Sequence, residues 1–165
     1  MGSEVCIVSR EWQAFWLATG FLSRIPMLAR INFSDRLMNQ CAVYFPLVGL
    51  MLGAMYAGLY LALSEAWSPS TCLILVTGFH LCITGAFHED GLADRVDAFG
   101  GGYSPAAKLI ITKDSRIGTS GTIALLPALA LKVTRPSESR TIRPALLFSP
   151  MVARLTPCLL LHSHA

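Results

Sequence analysis

An all-α, multispanning membrane fold with an acidic metal site facing the cytoplasm is what this sequence predicts, and three observations predict it. Of the 165 residues, 53% are hydrophobic and only 14% charged, with a mean hydropathy of +0.54; a soluble domain carries about 25% charged residues. Residues 41 to 63 hold no charge at all, and at about 1.5 Å per residue they can cross a hydrocarbon core of about 30 Å. Finally, four of the ten carboxylates fall between Glu89 and Asp97, and a fifth, Asp114, follows. The length suits one embedded domain over 1–165. A net charge of +3 is too small to argue for nucleic acid. The cysteines Cys6, Cys41, Cys72, Cys82 and Cys158 form no CxxC pair and read as small apolar packing residues in a reducing compartment.

The first apolar segment, residues 12–29, holds only about a dozen apolar residues before Arg24, and Pro26 breaks a helix there. It predicts a short interfacial or half-inserted helix, with Trp12 and Trp16 either at headgroup level or in the core. The first ten residues, with Glu4 and Arg10, do not predict a cleavable leader. Residues 30–40 are polar, and Ser34 is placed to cap a following helix. Arg24, Arg30 and Arg36 mark this loop as cytoplasmic, and Arg24 is also a candidate phosphate contact. In the span 41–63, Gly49, Gly53 and Ala57 recur every four residues, a face that lets helices approach closely; Pro46 and Gly58 are expected bends. A turn around Glu65, Ser68 and Pro69 leads into a second uncharged segment, 70–87. Its His80 is either a substrate contact or a hydrogen-bonded packing residue.

Residues 106–116 predict a short helix, 117–131 an apolar segment weakened by Gly118, Gly121 and Pro127, and 132–143 a polar break. In the apolar stretch 144–161, Arg154 must face protein, water or ligand rather than lipid. If 41–63 and 70–87 form a hairpin, the loops 24–40 and 88–116 share the cytoplasmic side. The basic loop 132–143 then falls outside if 117–131 spans, so either that segment is re-entrant or the charge count fails.

The acidic stretch carries the chemistry. If Glu89 to Asp97 is helical, Asp90, Asp94 and Asp97 stand at i, i+4 and i+7 on one stripe. Like charges so placed repel, more strongly where the dielectric is low, and a cation relieves them. All-oxygen ligands select a hard cation such as Mg²⁺ or Mn²⁺, and Mg²⁺ binds one or two carboxylates together with substrate phosphates. A site for a Mg²⁺-bound pyrophosphate is the sharp reading; a solvated acidic loop balanced by Arg95, Lys108, Lys113 and Arg116 is the bland one. Gly100, Gly101 and Gly102 end the helix, either as a plain turn or as backbone that approaches phosphate oxygens. Lys113 and Arg116 are either phosphate clamps beside Asp114 or a basic membrane flank.

FLSRIP at 21–26, FPLVGLMLG at 45–53, TGAFHEDGLADRVDAFGGG at 84–102 and KDSRIGTSG at 113–121 resemble, in order and spacing, the adenosylcobinamide-GDP ribazoletransferase (cobalamin-5′-phosphate synthase) family over about residues 12–132. The resemblance implies a multi-pass enzyme of the bacterial or archaeal cell (inner) membrane, late in cobalamin biosynthesis. It would join adenosylcobinamide-GDP to α-ribazole or its 5′-phosphate, giving adenosylcobalamin or its 5′-phosphate and GMP, with Mg²⁺ as cofactor. Carried over by position, Glu89, Asp90, Asp94, Asp97 and Asp114 become candidate metal ligands or a general base, with Asp97 the guess for the base. Lys113, Ser115 and Arg116 become phosphate contacts; the catalytic set is Asp94, Asp97, Lys113 and Arg116, and the substrate-binding set Ser115, Gly100, Gly101, Gly102 and Arg24. Family members run longer, with further spans and another acidic, glycine-containing segment, so residues 133–165 are expected to be a divergent or shortened C-terminus. Two other functions compete: a CDP-alcohol phosphatidyltransferase, whose Ala-Arg step Asp90-Gly91-Leu92-Ala93-Asp94 lacks, and a non-catalytic membrane subunit with a cation-selecting acidic ring.

Overall fold

The computed structural model describes residues 2–26, 31, 34–102, 104–113, 116–134 and 139–163, with 2–9, 35, 113, 139–141 and 156–163 described by backbone alone. Among the described residues every regular element is helical. The chain divides into two compact units, Met1–Gly85 with Glu138–Ala165, and Ala86–Ser137.

In the first unit, α1 runs Gly2–Leu22, starting well before the apolar segment read from sequence and stopping ahead of Arg24. Its buried side chains Ala14, Leu17, Ala18 and Leu22 repeat at helical spacing and make one core-facing stripe. Two polar residues are buried on α1 and just past its end at little cost, because they bond back to the helix: Thr19 Oγ1 donates to Phe15 O at 2.9 Å and Ser23 Oγ to Thr19 O at 2.7 Å. Trp12 is 56% exposed and packs edge-on against Trp16.

Ser34 caps α2 (Asp35–Cys41) as expected, its Oγ accepting the Leu37 N–H at 3.2 Å. A 3₁₀ turn, Ala42–Tyr44, leads into α3, Phe45–Leu63. Pro46 therefore sits in the first turn of α3, where a missing N–H costs little. The run Arg36–Leu63, 28 residues, is the one described helix long and apolar enough to cross a membrane. Ser68 caps α4 (Pro69–Thr84) through the Thr71 N–H at 3.3 Å. On α4, His80 Nδ1 meets Tyr56 Oη of α3 at 3.0 Å, so this histidine is a packing residue that ties α3 to α4. Joined to α5, α4 counts as a second span only as a broken one.

The last helix of this unit, α8, runs Ser139–Ser163 and so begins inside the stretch expected to be a polar break. It lies close along α3. A methyl built on Gly49 would come within 2.5 Å of Pro150 O, and one on Gly53 within 2.2 Å of Leu147 O. Gly58, an expected bend, lies inside α3 with nothing within 4 Å of an added methyl. Arg154 is 2% exposed and its Nη1 donates to Pro150 O at 3.0 Å, which keeps the guanidinium inside the protein as the sequence requires.

The second unit holds α5 (Phe87–Gly101), α6 (Pro105–Lys113) and α7 (Thr119–Thr134). Pro127 lies inside α7, which at 16 residues falls short of a spanning helix.

Candidate functional site

Two consecutive residues in the left-handed region separate α4 from the acidic helix. Gly85 has φ +67° and Ala86 φ +57°. The second has a Cβ and costs about 1–2 kcal/mol, so the break is imposed by its surroundings. Arg24 supplies part of them within the first unit. Its N–H donates to Ile83 O at 2.7 Å, and its Nε lies 2.5 Å from where a Gly85 Cβ would stand. A guanidinium at the end of α4 also favours the negative pole of that helix. The FLSRIP motif thus braces a helix terminus; the sequence reading of Arg24 as a phosphate contact missed this use.

Helix geometry then sorts the carboxylates of α5 onto two faces. Glu89, Ala93 and Asp97 follow at i, i+4 and i+8, and all three meet α7. Glu89 is buried and pairs with Lys132 near the C-terminal end of α7. Ala93 O lies 2.9 Å from a Cβ built on Gly121. Asp97 accepts the Gly118 N–H through Oδ2 at 2.7 Å and the Gly121 N–H through Oδ1 at 2.8 Å. Its carboxylate therefore caps the N-terminus of α7, where helix N–H groups lack partners and the dipole favours an anion. The two glycines are required by this seat: a Cβ on Gly118 would fall 2.3 Å from Asp97 Oδ1, and one on Gly121 2.4 Å from Oδ2.

Asp90 and Asp94 remain on the neighbouring face. They line an open cleft of about 420 Å³ with Phe87, His88, Gly91, Leu92 and Arg95. Asp90 is exposed and Asp94 half-buried, and among the described residues neither side chain makes a hydrogen bond or ion pair. His88 and Arg95 are the lining residues that sequence reasoning passed over. Arg95 was counted only as charge balance, although its place directly after Asp94 was the available signal.

The stripe Asp90, Asp94, Asp97 read from sequence is thus divided, and Asp97, the guessed base, is taken up by two amides. Among the described residues no three His, Cys, Asp or Glu side chains converge as a metal cluster. Asp114 and Ser115 lie outside the described residues, as does the side chain of Lys113; Arg116 is described and exposed. The glycine run also differs from expectation. α5 continues through Gly100 and Gly101, and the Gly102 N–H closes its last turn on Ala98 O at 3.0 Å, so these amides belong to the helix and not to a phosphate cradle. The absent side chains serve packing: added methyls would meet Ser120 Oγ at 3.1 Å, Ile111 Cδ1 at 3.3 Å and Lys108 Cγ at 2.6 Å respectively.

Fold and site define a helical protein with a membrane-length helix and a second helix whose carboxylates divide between a packed and an open face. The chain belongs to the cobalamin-5-phosphate synthase family, whose profile matches residues 14–165. It is similar to the adenosylcobinamide-GDP ribazoletransferase of Ralstonia pickettii, at 48% identity over 74% of this chain and 48% of that one. The proteins of the same name from Vibrio cholerae and Shewanella woodyi are 40% and 39% identical over 90% and 88% of this chain, and 58% and 57% of theirs. The chain spans about half the length of the curated relatives it matches. No solved structure matches it.

Proposed function

We propose that this chain serves a transferase of cobalamin biosynthesis that joins adenosylcobinamide-GDP to α-ribazole or its 5′-phosphate and releases GMP. The enzyme would be multi-pass in the cell (inner) membrane, with α5 toward the cytoplasm. The observation that carries the reading is the open Asp90–Asp94 face of α5 in a chain of this family; the names of the relatives favour it over a phosphatidyltransferase or a cation pathway.

The residues fit Mg²⁺. Two carboxylates one helical turn apart, on an open face, match an ion that keeps several waters and shares its remaining positions with substrate phosphates. Asp90 and Asp94 would hold it, with Asp114 a further candidate. When bound, Mg²⁺ supplies charge neutralisation to a pyrophosphate. Arg95 offers a planar fork for phosphate oxygens beside that pair, and Lys113, Ser115 and Arg116 are candidate further contacts. In the transfer, a ribose hydroxyl oxygen gives its proton to water and bonds to the cobinamide-linked phosphorus while the bond from that phosphorus to the GMP oxygen breaks. Such a step needs positioned charge more than a covalent nucleophile.

The test is GMP release by the purified chain, with adenosylcobinamide-GDP and α-ribazole, in Mg²⁺ and in EDTA. The expected outcome is release in Mg²⁺, loss in EDTA and recovery on restoring Mg²⁺. Calorimetric binding of adenosylcobinamide-GDP, expected only with Mg²⁺ present, accompanies it. The absence of both release and binding under every condition would remove the proposal.

A further inference from the structure

We propose that Asp97 is a positioning residue: with Gly118 and Gly121 it forms a latch that fixes the rotation of α5 against α7, and it acts on the reaction through Asp90 and Asp94. The inference rests on the transferase reading only where activity is measured.

Three observations within the second unit carry it. Both Asp97 oxygens are engaged, each by a backbone N–H at 2.7 or 2.8 Å, distances of charge-assisted bonds. The two donors stand three residues apart, Gly118 just before α7 and Gly121 in its first turn, so one planar carboxylate spans the start of that helix and resists both sliding and twisting. The space for that carboxylate exists only because residues 118 and 121 lack a Cβ, which would come within 2.3 and 2.4 Å of its oxygens. At the other end of the same α5 face, Glu89 holds Lys132. Two ion-bearing contacts eight residues apart on α5 determine how the helix is rotated, and that rotation turns Asp90 and Asp94 into the cleft. The acidic motif and the KDSRIGTSG motif are thus joined by carboxylate-to-amide bonds, and the glycines of the second motif answer to an aspartate of the first.

The latch predicts that Gly118→Ala, which leaves every carboxylate in place, reproduces Asp97→Ala. The first experiment is a thermal-melting cycle on the full chain in detergent, with Asp97→Ala, Gly118→Ala and both together. Each single change is expected to lower the midpoint by several degrees. The double variant should melt no lower than the worse single, because the added methyl finds room once the carboxylate is gone. Additive losses, or a Gly118→Ala chain that melts like the parent, would overturn the latch. The second experiment titrates Mg²⁺ in the GMP-release assay. Both single variants are expected to lose activity on the order of tenfold with the same shift in half-saturating Mg²⁺. A shift in Asp97→Ala alone would mean direct ligation and would overturn the positioning role. A parent chain inactive at every Mg²⁺ concentration counts against the transferase reading and leaves the melting cycle to decide the latch.

Discussion

Asp90 and Asp94 can each lose a charge without disturbing any hydrogen bond among the described residues. Asp90→Asn and Asp94→Asn are therefore expected to melt within a degree or two of the parent, yet to lose GMP release by about 10²-fold or more, the usual scale for removing a preorganised electrostatic group. Melting curves and initial rates on the same preparations check this; a normal rate in either variant would remove that carboxylate from the metal pair. The candidate pair was legible in the sequence, since a spacing of four puts both side chains on one face of any α-helix. The place of Asp97 was not. At 3.6 residues per turn it lies close to the stripe of Asp90 and Asp94 and also close to that of Glu89 and Ala93. Which stripe it joins depends on where α7 docks, a tertiary fact that spacing along α5 does not hold. Gly118 and Gly121 carried the missing signal: read as weaknesses in a spanning helix, they are the space a carboxylate fills.

Local elements followed the sequence wherever a side chain acts on its own backbone. Ser34 and Ser68 cap α2 and α4 through N–H groups three residues on, a pattern visible without any tertiary knowledge. The elements that departed from expectation are those shaped by a neighbour. α5 runs through Gly100 and Gly101 because α6 and α7 approach closely enough to profit from missing side chains, and α8 starts at Ser139 beside buried Ile142. The face of Gly49 and Gly53 was read as a close-approach surface, and the structure adds the partner, the backbone of α8 at Leu147 and Pro150. Gly49→Ala and Gly53→Ala are each expected to cost about 1–3 kcal/mol as overpacking, because the clashing atoms are backbone and cannot rotate away. Gly58→Ala, with open space around it, should be neutral or stabilise by up to about 1 kcal/mol through helix propensity. Thermal midpoints of the three variants in one detergent check the order; equal effects at positions 53 and 58 would deny the contact with α8.

At the scale of the whole molecule, a charge-poor composition predicts a bilayer, and the uncharged run 41–63 lies within Arg36–Leu63, the described helix of membrane length. Composition does not reveal which side of that helix meets protein. The structure separates the two: Leu52 is fully buried, whereas Leu47, Met55 and Leu61 are exposed at 50%, 38% and 43%. In water such side chains would carry a cost of about 25 cal/mol per Å² of apolar surface; facing lipid they carry none. In the proposed topology, arginines at 24, 30 and 36 would hold the chain before this helix in the cytoplasm, and the turn after it, with exposed Trp67, would lie on the opposite side. Single cysteines introduced in a background with the native cysteines replaced test the assignment in cells. Trp67→Cys is expected to react with a membrane-impermeant maleimide added to intact spheroplasts, and Asn39→Cys only in inside-out vesicles. Met55→Cys should react in neither until the membrane is dissolved, because a thiolate does not form in hydrocarbon. Reaction of Met55→Cys in intact membranes would place α3 in water and turn its exposed apolar face into a surface for another protein.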